Sequence, residues 1–392
     1  GVTAHLDPRR RSQQEGFAAG WELWQAGREV EAIARWEQAG AAELVLDQAN
    51  LLLFRGELST GAALCQAVLT FVPTSARAYF LLGQARRYQG NEEGARQAWE
   101  EAVRLDPDNR AAQLELGLWY EAHGDTETAY VHLQQADPAE ATHILWQRIW
   151  PYFNGGNEQA GLAALDLILR LAPTDANAWV VKASRLRMAH RDADAQATLE
   201  ELWRVAPGDI RYYLEHAQLL DSQGRGKEAL ADLEEAVRLA PRSAEAWFLL
   251  GQMRRKYSGQ RQGAIEALEQ AVSLHPNAWY ATELGNAYRE AGDLDAAVAA
   301  WERAVTLPGC NAHSWWTLGQ GYEAQERWKD SAEAYARAVL LDPQNADLYA
   351  LLARAYTQAG ERAQAIAAWE SALALRPGVP TWQEALARLK EP

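Results

Sequence analysis

The chain has 392 residues, and its 53 Asp and Glu residues exceed its 38 Lys and Arg residues, so the formal net charge is −15 at pH 7. This excess of negative charge disfavours nucleic-acid binding by the chain as a whole, although a local basic strip escapes the argument. No apolar run approaches the roughly 20 residues that a membrane span needs, and no signal peptide is visible.

Residues 1–12 form a short polar lead-in. Within it, the segment His5-Leu6-Asp7-Pro8 is similar to the Leu-Asp-Pro that ends later segments, so we expect the chain to be cut from a longer array. Two predicted helical hairpins follow, at 13–40 and 42–75, each with apolar residues at helical spacing and a glycine at its turn.

The third hairpin, 76–109, shows the pattern most clearly. Leu82 and Gly83 lie on one face of its first helix, and Trp99 lies on the inward face of its second. Gly90 supplies the left-handed residue between the two helices, and Pro107 ends the second because it lacks the N–H that further helix needs. The same pattern fits almost everywhere in steps near 34 residues.

Two hairpins in the middle of the chain are irregular. In the fourth, 110–137, the second helix is cut short near Asp137 and Pro138. In the fifth, 142–175, Pro151 interrupts the first helix. We therefore expect a kink or register shift at 137–156 that divides the array.

The regular pattern resumes after residue 175. The six further hairpins are 176–209, 210–243, 244–277, 278–311, 312–345 and 346–379, and a capping helix lies in the tail 380–392. Each has a small residue at one place in its first helix, which lets the partner helix approach closely; these are Ala183, Ala217, Gly251, Gly285, Gly319 and Ala353. Glycine occupies the turn in nine of the eleven hairpins, and His190 and Glu326 replace it in the other two.

This period and pattern resemble the tetratricopeptide repeat (TPR) family over nearly the whole chain. The resemblance implies an all-α, right-handed superhelical solenoid of antiparallel helical hairpins. We expect two segments, 13–136 and 142–379. Proteins of this family typically bind an extended peptide or a partner helix on the concave face, which the first helices line.

Motifs for catalysis are close to absent, so we predict no enzyme activity. No Gly-rich phosphate loop with its Ser or Thr is present, and the eight histidines form no His-Glu-x-x-His. We therefore predict no metal and no cofactor. The two cysteines, Cys65 and Cys310, lie seven repeats apart and cannot meet in a stacked array, so no disulfide is expected.

Thirteen of the 17 tryptophans fall into two groups by their place in the repeat. Seven are predicted to lie in the core: Trp179, Trp247 and Trp315 on first helices, and Trp36, Trp99, Trp301 and Trp369 on second helices. Ten further aromatic residues are predicted to face the interior of the superhelix as an apolar ligand surface, unless they pack on the adjacent repeat: Trp21, Trp24, Trp146, Trp150, Trp279, Trp316, Phe17, Phe80, Phe153 and Phe248.

A column of amide side chains occupies one equivalent place on five first helices. It comprises Gln84, Gln218, Gln252, Asn286 and Gln320, and the last four belong to consecutive repeats. Amides donate and accept simultaneously, so they could hold the backbone of an extended peptide. Three residues further along, Arg255 and Arg289 offer a grip for an anion, and Trp279 and Trp316 offer apolar anchors. The competing interpretation is that these arginines pair with Glu290 or Glu323.

The favoured function is a non-catalytic protein–protein interaction scaffold that binds a protein or peptide, acidic in character. The alternative is an accessory module of a membrane-anchored protein, such as a glycosyltransferase or polysaccharide-assembly protein, which would suit a fragment. RNA binding is less favoured because the arginine column also contains Glu121, Asp221 and Glu323. The favoured compartment is the cytoplasm; the accessory-module alternative would place the chain outside it.

Overall fold

The computed structural model describes residues 8–391 and places them in 23 α-helices, with no β-strand in that range. The all-α class and the count of 22 repeat helices plus a terminal helix are therefore confirmed. The chain divides into two compact units, the first ending at Lys182 and the second beginning at Ala183. The proposed junction at 137–156 lies inside the first unit, and the expected repeat remnant lies mostly outside the described residues.

The first unit is a stack of helical hairpins in which consecutive helices pack against each other. Its helices are α1 (Pro8–Gln25), α2 (Glu29–Ala39), α3 (Ala42–Phe54), α4 (Leu58–Phe71), α5 (Ala76–Tyr88), α6 (Glu92–Leu105), α7 (Arg110–Ala122), α8 (Thr126–Gln135), α9 (Pro138–Asn154) and α10 (Glu158–Leu171). The boundary between the units falls within the next helix, α11 (Ala176–Met188).

The second unit continues the same arrangement. Its helices are α12 (Asp192–Val205), α13 (Ile210–Ser222), α14 (Gly226–Leu239), α15 (Ala244–Met253), α16 (Arg261–Leu274), α17 (Ala278–Ala291), α18 (Leu294–Ala304), α19 (Ala312–Ala324), α20 (Trp328–Leu341), α21 (Ala346–Gln358), α22 (Arg362–Leu375) and α23 (Pro380–Lys390). The last of these is the predicted capping helix.

The turn within each hairpin needs a residue in the left-handed region. Gly90 has φ +79°, and glycines hold this conformation in most of the other hairpins. His190 and Glu326, the two predicted replacements, have φ +56° and +58° and are the non-glycine residues with positive φ among residues 8–391. Such backbone strain in a side-chain-bearing residue costs about 1 kcal/mol or more, which the flanking helices must offset.

The small residue of the first helix receives a large side chain from the second helix, as predicted. A Cβ atom added to Gly285 would lie 2.3 Å from Nε1 of Trp301, and Gly83 stands in the same relation to Trp99. Trp301 also contacts the following repeat, because a Cβ at Gly321 would lie 2.7 Å from its Cε3. Trp301 therefore joins its own hairpin to the next one.

The predicted core tryptophans follow two different patterns. Those on second helices (Trp36, Trp99, Trp301 and Trp369) are buried, as predicted. Those on first helices (Trp179, Trp247 and Trp315) are only half-buried, which corrects the prediction. The reason is that the first-helix indoles lie against the preceding turn, where Trp179 and Trp247 donate from Nε1 to the carbonyls of Pro173 and Pro241 at 2.9 Å.

The irregular fourth and fifth hairpins are partly as expected. Helix α8 is short, with 10 residues against 14 in α6 and α10. Helix α9, however, begins at Pro138, where Asp137 accepts from the N–H groups of Ala139 and Glu140, and it is not interrupted at Pro151. Pro151 lies in its last turn and still accepts from Gly155 N–H at 2.9 Å, so the helix ends only at Asn154.

One repeat of the second unit absorbs an extra residue. Helix α15 ends in a π-helical turn, Arg254–Ser258, before the left-handed Gly259. Such a turn is the usual way in which a helix accommodates a one-residue insertion. Here it places Lys256 and Tyr257 on the preceding repeat, where both donate to Asp221.

Candidate functional site

The amide column of the second unit lies on four consecutive first helices, and all four side chains are half-buried. Gln218 donates from Nε2 to the carbonyl of Leu214 at 3.3 Å, and Asn286 donates from Nδ2 to Glu283 at 3.2 Å. The side chains of Gln252 and Gln320 have no hydrogen-bond partner among residues 8–391. The column therefore keeps part of its hydrogen-bonding capacity free.

Arginines three residues beyond the amide position pair with a glutamate on the next first helix. Arg255 donates from Nη1 to Glu283 at 2.8 Å, and its Nε lies 3.6 Å from Glu290. Arg187 pairs with Glu215 at 3.1 Å in the same way, and Arg87 pairs with Glu115 in the first unit. In all three main pairs the glutamate follows the arginine by 28 residues. We call this pair an inter-repeat rung.

Arg289 has no glutamate partner on the next first helix, and we call its rung open. The residue 28 positions later is Thr317, which is buried and donates its hydroxyl to the carbonyl of His313 at 2.9 Å. Arg289 is exposed, and its guanidinium lies 5.5 Å from the ring centroid of Trp301. Within residues 8–391 no carboxylate lies within 4.0 Å of it.

Acidic residues at the same position are neutralised from the following repeat. Glu121 accepts from Arg148 and from the hydroxyl of Tyr152 in the first unit. In the second unit, Asp221 pairs with Lys256 at 2.7 Å and Glu323 with Arg354 at 2.8 Å. The competing interpretation of the two arginines is thus met at Arg255, which contacts Glu290, and not at Arg289.

Trp279 and Trp316 lie in different surroundings. Trp279 is 61% exposed and rests against Phe248, whose ring centroid is 4.5 Å away. Trp316 is half-buried and lines a cavity of about 330 Å³ together with Asp342 and Asp347. Trp279 is therefore free to contact an apolar group, whereas Trp316 faces an acidic notch.

Some of the other aromatic residues predicted to face the interior belong to the core instead. Phe153 and Phe248 are buried, which corrects that prediction for both. Trp146 donates from Nε1 to Asp175 at 3.1 Å, and Trp150 is half exposed. The position of a residue around its helix could not distinguish buried from exposed aromatic residues, because the next repeat covers some of the inward positions.

The first unit contains an aromatic cavity of about 580 Å³ that the sequence only partly indicated. Its walls include Phe54 on α3 and Phe80, Gln84 and Tyr88 on α5. Sequence reasoning singled out Phe80 and Gln84 but missed Phe54, Tyr88 and Asn50, another lining residue. The available signal was the period itself, because Asn50 and Phe54 precede Gln84 and Tyr88 by one repeat of 34 residues.

The ionisable groups show shifts with structural causes. Burial raises the pKa of Glu215, although Arg187 and a hydrogen bond from it act in the opposite direction. Burial also raises the pKa of the Cys65 thiol to about 12, so this thiol is protonated and unreactive at neutral pH. Within the described range, no group of three or more His, Cys, Asp or Glu side chains is arranged to hold a metal ion.

Residues 8–391 include no helix with the length and apolar character of a membrane span. Family models described as "Tetratricopeptide repeat" match residues 76–109, residues 322–389 and three overlapping stretches, 214–256, 253–309 and 282–346. Together these matches cover more than half of the chain. No curated protein matches it in sequence.

Several solved structures resemble the chain at low sequence identity. The APC/C hetero-tetramer Cut9-Hcn1 matches at 14% identity and a TM-score of 0.41, with 97% of this chain and 96% of that chain covered. YrrB, described as a TPR protein with an unusual peptide-binding site, matches at 20% identity and a TM-score of 0.40, over 48% of this chain and 96% of that one. The MamA protein matches at 23% identity and a TM-score of 0.38, over 47% and 96%.

Proposed function

Because the chain belongs to the tetratricopeptide repeat family, whose arrays are protein–protein interaction scaffolds, we propose that its second unit binds an extended acidic peptide. The peptide lies along the first helices α13, α15, α17 and α19. The amides of the column (Gln218, Gln252, Asn286 and Gln320) hold its backbone, Arg289 binds one carboxylate, and Trp279 contacts an apolar side chain. The role is non-catalytic, as is typical of this fold.

The observation that carries this proposal is the open rung at Arg289. Where this position holds Arg187 or Arg255, a glutamate of the next repeat neutralises the charge, and only at Arg289 does a threonine stand in the glutamate's place. The guanidinium is held over Trp301, so part of its conformational freedom is already lost before a ligand binds. The chain has a net charge of −15, so its overall electrostatic field repels an acidic ligand. The guanidinium of Arg289, unpaired among residues 8–391, attracts such a ligand locally.

Arg255 has a structural role in this scheme and does not contact the ligand. Its partner Glu283 is 16% exposed, so removing Arg255 leaves a largely buried carboxylate without its cation. We expect Arg255→Ala to lower the free energy of unfolding by about 1–2 kcal/mol and to leave peptide affinity nearly unchanged.

The test uses a fluorescein-labelled peptide with three consecutive glutamates, and its glutamine version, in anisotropy titrations at low ionic strength. Arg289→Ala should weaken binding of the acidic peptide roughly ten- to hundredfold, the usual loss for a charge-assisted hydrogen bond. Thr317→Glu should weaken it similarly by closing the rung from within. The size-matched Thr317→Gln should bind as the parent does.

A further variant tests the same idea by creating a new binding site for the acidic peptide. Glu215→Thr opens the rung at Arg187 and should add a second site for the acidic peptide, with circular dichroism as the check on folding. Equal affinity for the glutamate and glutamine peptides, or unchanged binding by Thr317→Glu in a folded protein, would show that Arg289 is not the carboxylate site.

A further inference from the structure

We propose that the aromatic cavity of the first unit binds one bulky apolar side chain of an extended peptide, and that Gln84 accepts a hydrogen bond from the peptide main chain. This inference rests on the proposed scaffold function only in that its ligand is a peptide. The cavity and Arg289 belong to different units, so the two proposals fail separately.

Two of the three aromatic rings in the cavity wall are exposed to solvent. Phe54 is 91% exposed and Tyr88 is 60% exposed, whereas Leu53, beside Phe54, is buried and anchors the end of α3. A phenyl ring that stays in water forgoes most of the stabilisation that burial would give it. A ligand side chain that enters between Phe54, Phe80 and Tyr88 removes apolar surface of both partners from water.

The orientation of the Gln84 amide is fixed by chemistry. Its Nε2 donates to Glu115 at 2.9 Å, and Glu115 also accepts from Arg87. An ionised carboxylate only accepts, so the amide nitrogen must face Glu115 and the oxygen must face away from it. That Oε1 is shielded from solvent and accepts no hydrogen bond from the described residues. A group left in this state destabilises the free protein until a donor reaches it.

These features select a peptide over other ligands. No charged side chain lines the cavity within the described residues, so an ion or an acidic side chain gains nothing there. Asn50, one repeat before Gln84, lines the same cavity, and its side chain has no hydrogen-bond partner among residues 8–391. Two amides one repeat apart match the alternating N–H and C=O groups of an extended strand, and a peptide N–H supplies the donor that the Gln84 oxygen lacks.

The test titrates the full chain with N-acetyl-phenylalanine N-methylamide and follows it by NMR. Binding should be saturable and should shift the side-chain amide signal of Gln84, identified by its absence in Gln84→Leu. The analogue methylated on the phenylalanine nitrogen should bind roughly tenfold more weakly, as expected for the loss of one hydrogen bond. N-acetyl-aspartate N-methylamide should not bind. Para-cresol is the control for a cavity that binds small aromatic molecules without recognising a peptide main chain, and it should bind more weakly than the phenylalanine probe.

Two variants and one control locate the binding. Phe54→Ala should weaken binding of the phenylalanine probe roughly fivefold or more, because it removes one wall. Gln84→Leu should abolish the difference between the probe and its N-methylated analogue. Val30→Ala changes another highly exposed apolar residue of the first unit, outside the cavity, and should change nothing.

Three results would overturn the inference. The first is no shift of the Gln84 signal at any probe concentration. The second is equal affinity for the probe and its N-methylated analogue in the parent chain, and the third is tighter binding of para-cresol than of the probe. Because Phe54 is almost fully exposed, Phe54→Ala should fold normally, and a loss of binding in that variant is not a loss of structure.

Discussion

Replacing Gly285 by alanine should destabilise the second unit, although alanine is the better helix former. The new Cβ would lie 2.3 Å from Trp301 Nε1, and the ring cannot retreat because Gly321 contacts its other side. Trp301 is fully buried, and its Nε1 donates to the carbonyl of Thr282 at 3.1 Å. Overpacking costs about 1–3 kcal/mol and a lost buried hydrogen bond a similar amount, against a gain of about 1 kcal/mol in helix propensity. The net loss should be about 1–5 kcal/mol.

The assay is urea unfolding followed by tryptophan fluorescence, together with amide hydrogen exchange in α17 to α19, because stability in a repeat array is partly local. The matched control is Gly285→Ala in a Trp301→Leu background. The equivalent pair two repeats earlier, Ala217 and Leu233, is fully buried and already combines alanine with leucine. Gly285→Ala should therefore be neutral or stabilising there. The same loss in both backgrounds would refute the steric argument.

Two further predictions concern electrostatics and local stability. Because burial raises the pKa of Glu215 while Arg187 lowers it, Arg187→Met should raise that pKa further, which a carboxyl ¹³C NMR titration measures. The pKa of Glu215 is higher in the folded state than in the unfolded state, so the contribution of Glu215 to stability falls as pH rises from the ordinary pKa of 4.5 through the folded value. This fall should be larger in Arg187→Met. An unchanged or lower pKa of Glu215 in the variant would contradict the prediction. Hydrogen exchange should find 137–156 the least protected interior segment of the first unit, because α8 is short and Pro151 lacks an N–H, and uniform protection there would count against it.

The helices were predictable from the sequence because every local signal agrees with the period. Turn residues, small residues and large apolar residues recur in phase, so the left-handed conformations of His190 and Glu326 follow from alignment alone. The predicted interruption at Pro151 was wrong because a proline in the last turn of a helix removes only one hydrogen bond. The N–H of Gly155 still donates to the Pro151 carbonyl, so the helical hydrogen bonding continues beyond the proline. The repeat spacing did not predict the π-helical turn, because a shorter loop before Asn277 compensates for the extra residue and restores the 34-residue period.

The candidate sites were less predictable because they depend on contacts between repeats. The position of Arg255 on its helix indicated a grip for an anion, but its neutralisation by Glu283 depends on a residue 28 positions later. The same spacing identifies Thr317 as the exception, although this becomes visible only once the pairs at Arg87 and Arg187 are known. Helix phase likewise could not show whether a neighbouring repeat covers an inward ring, and so it misplaced Phe248.

The inter-repeat rungs make the hairpins non-interchangeable despite their shared fold. Arg87, Arg187 and Arg255 are each paired with a glutamate in the next repeat, whereas within residues 8–391 Arg289 is not, so the pattern of ion pairs depends on the order of the repeats along the chain. Deleting 278–311 would bring Thr317 to the position that Glu283 now occupies opposite Arg255, and would turn a closed rung into an open one. Duplicating the same repeat would pair the first copy of Arg289 with the second copy of Glu283 and would leave the second copy of Arg289 opposite Thr317. Loss or gain of a whole unit, the simplest route by which such arrays change length, therefore changes the distribution of free charge along the chain as well as its extent.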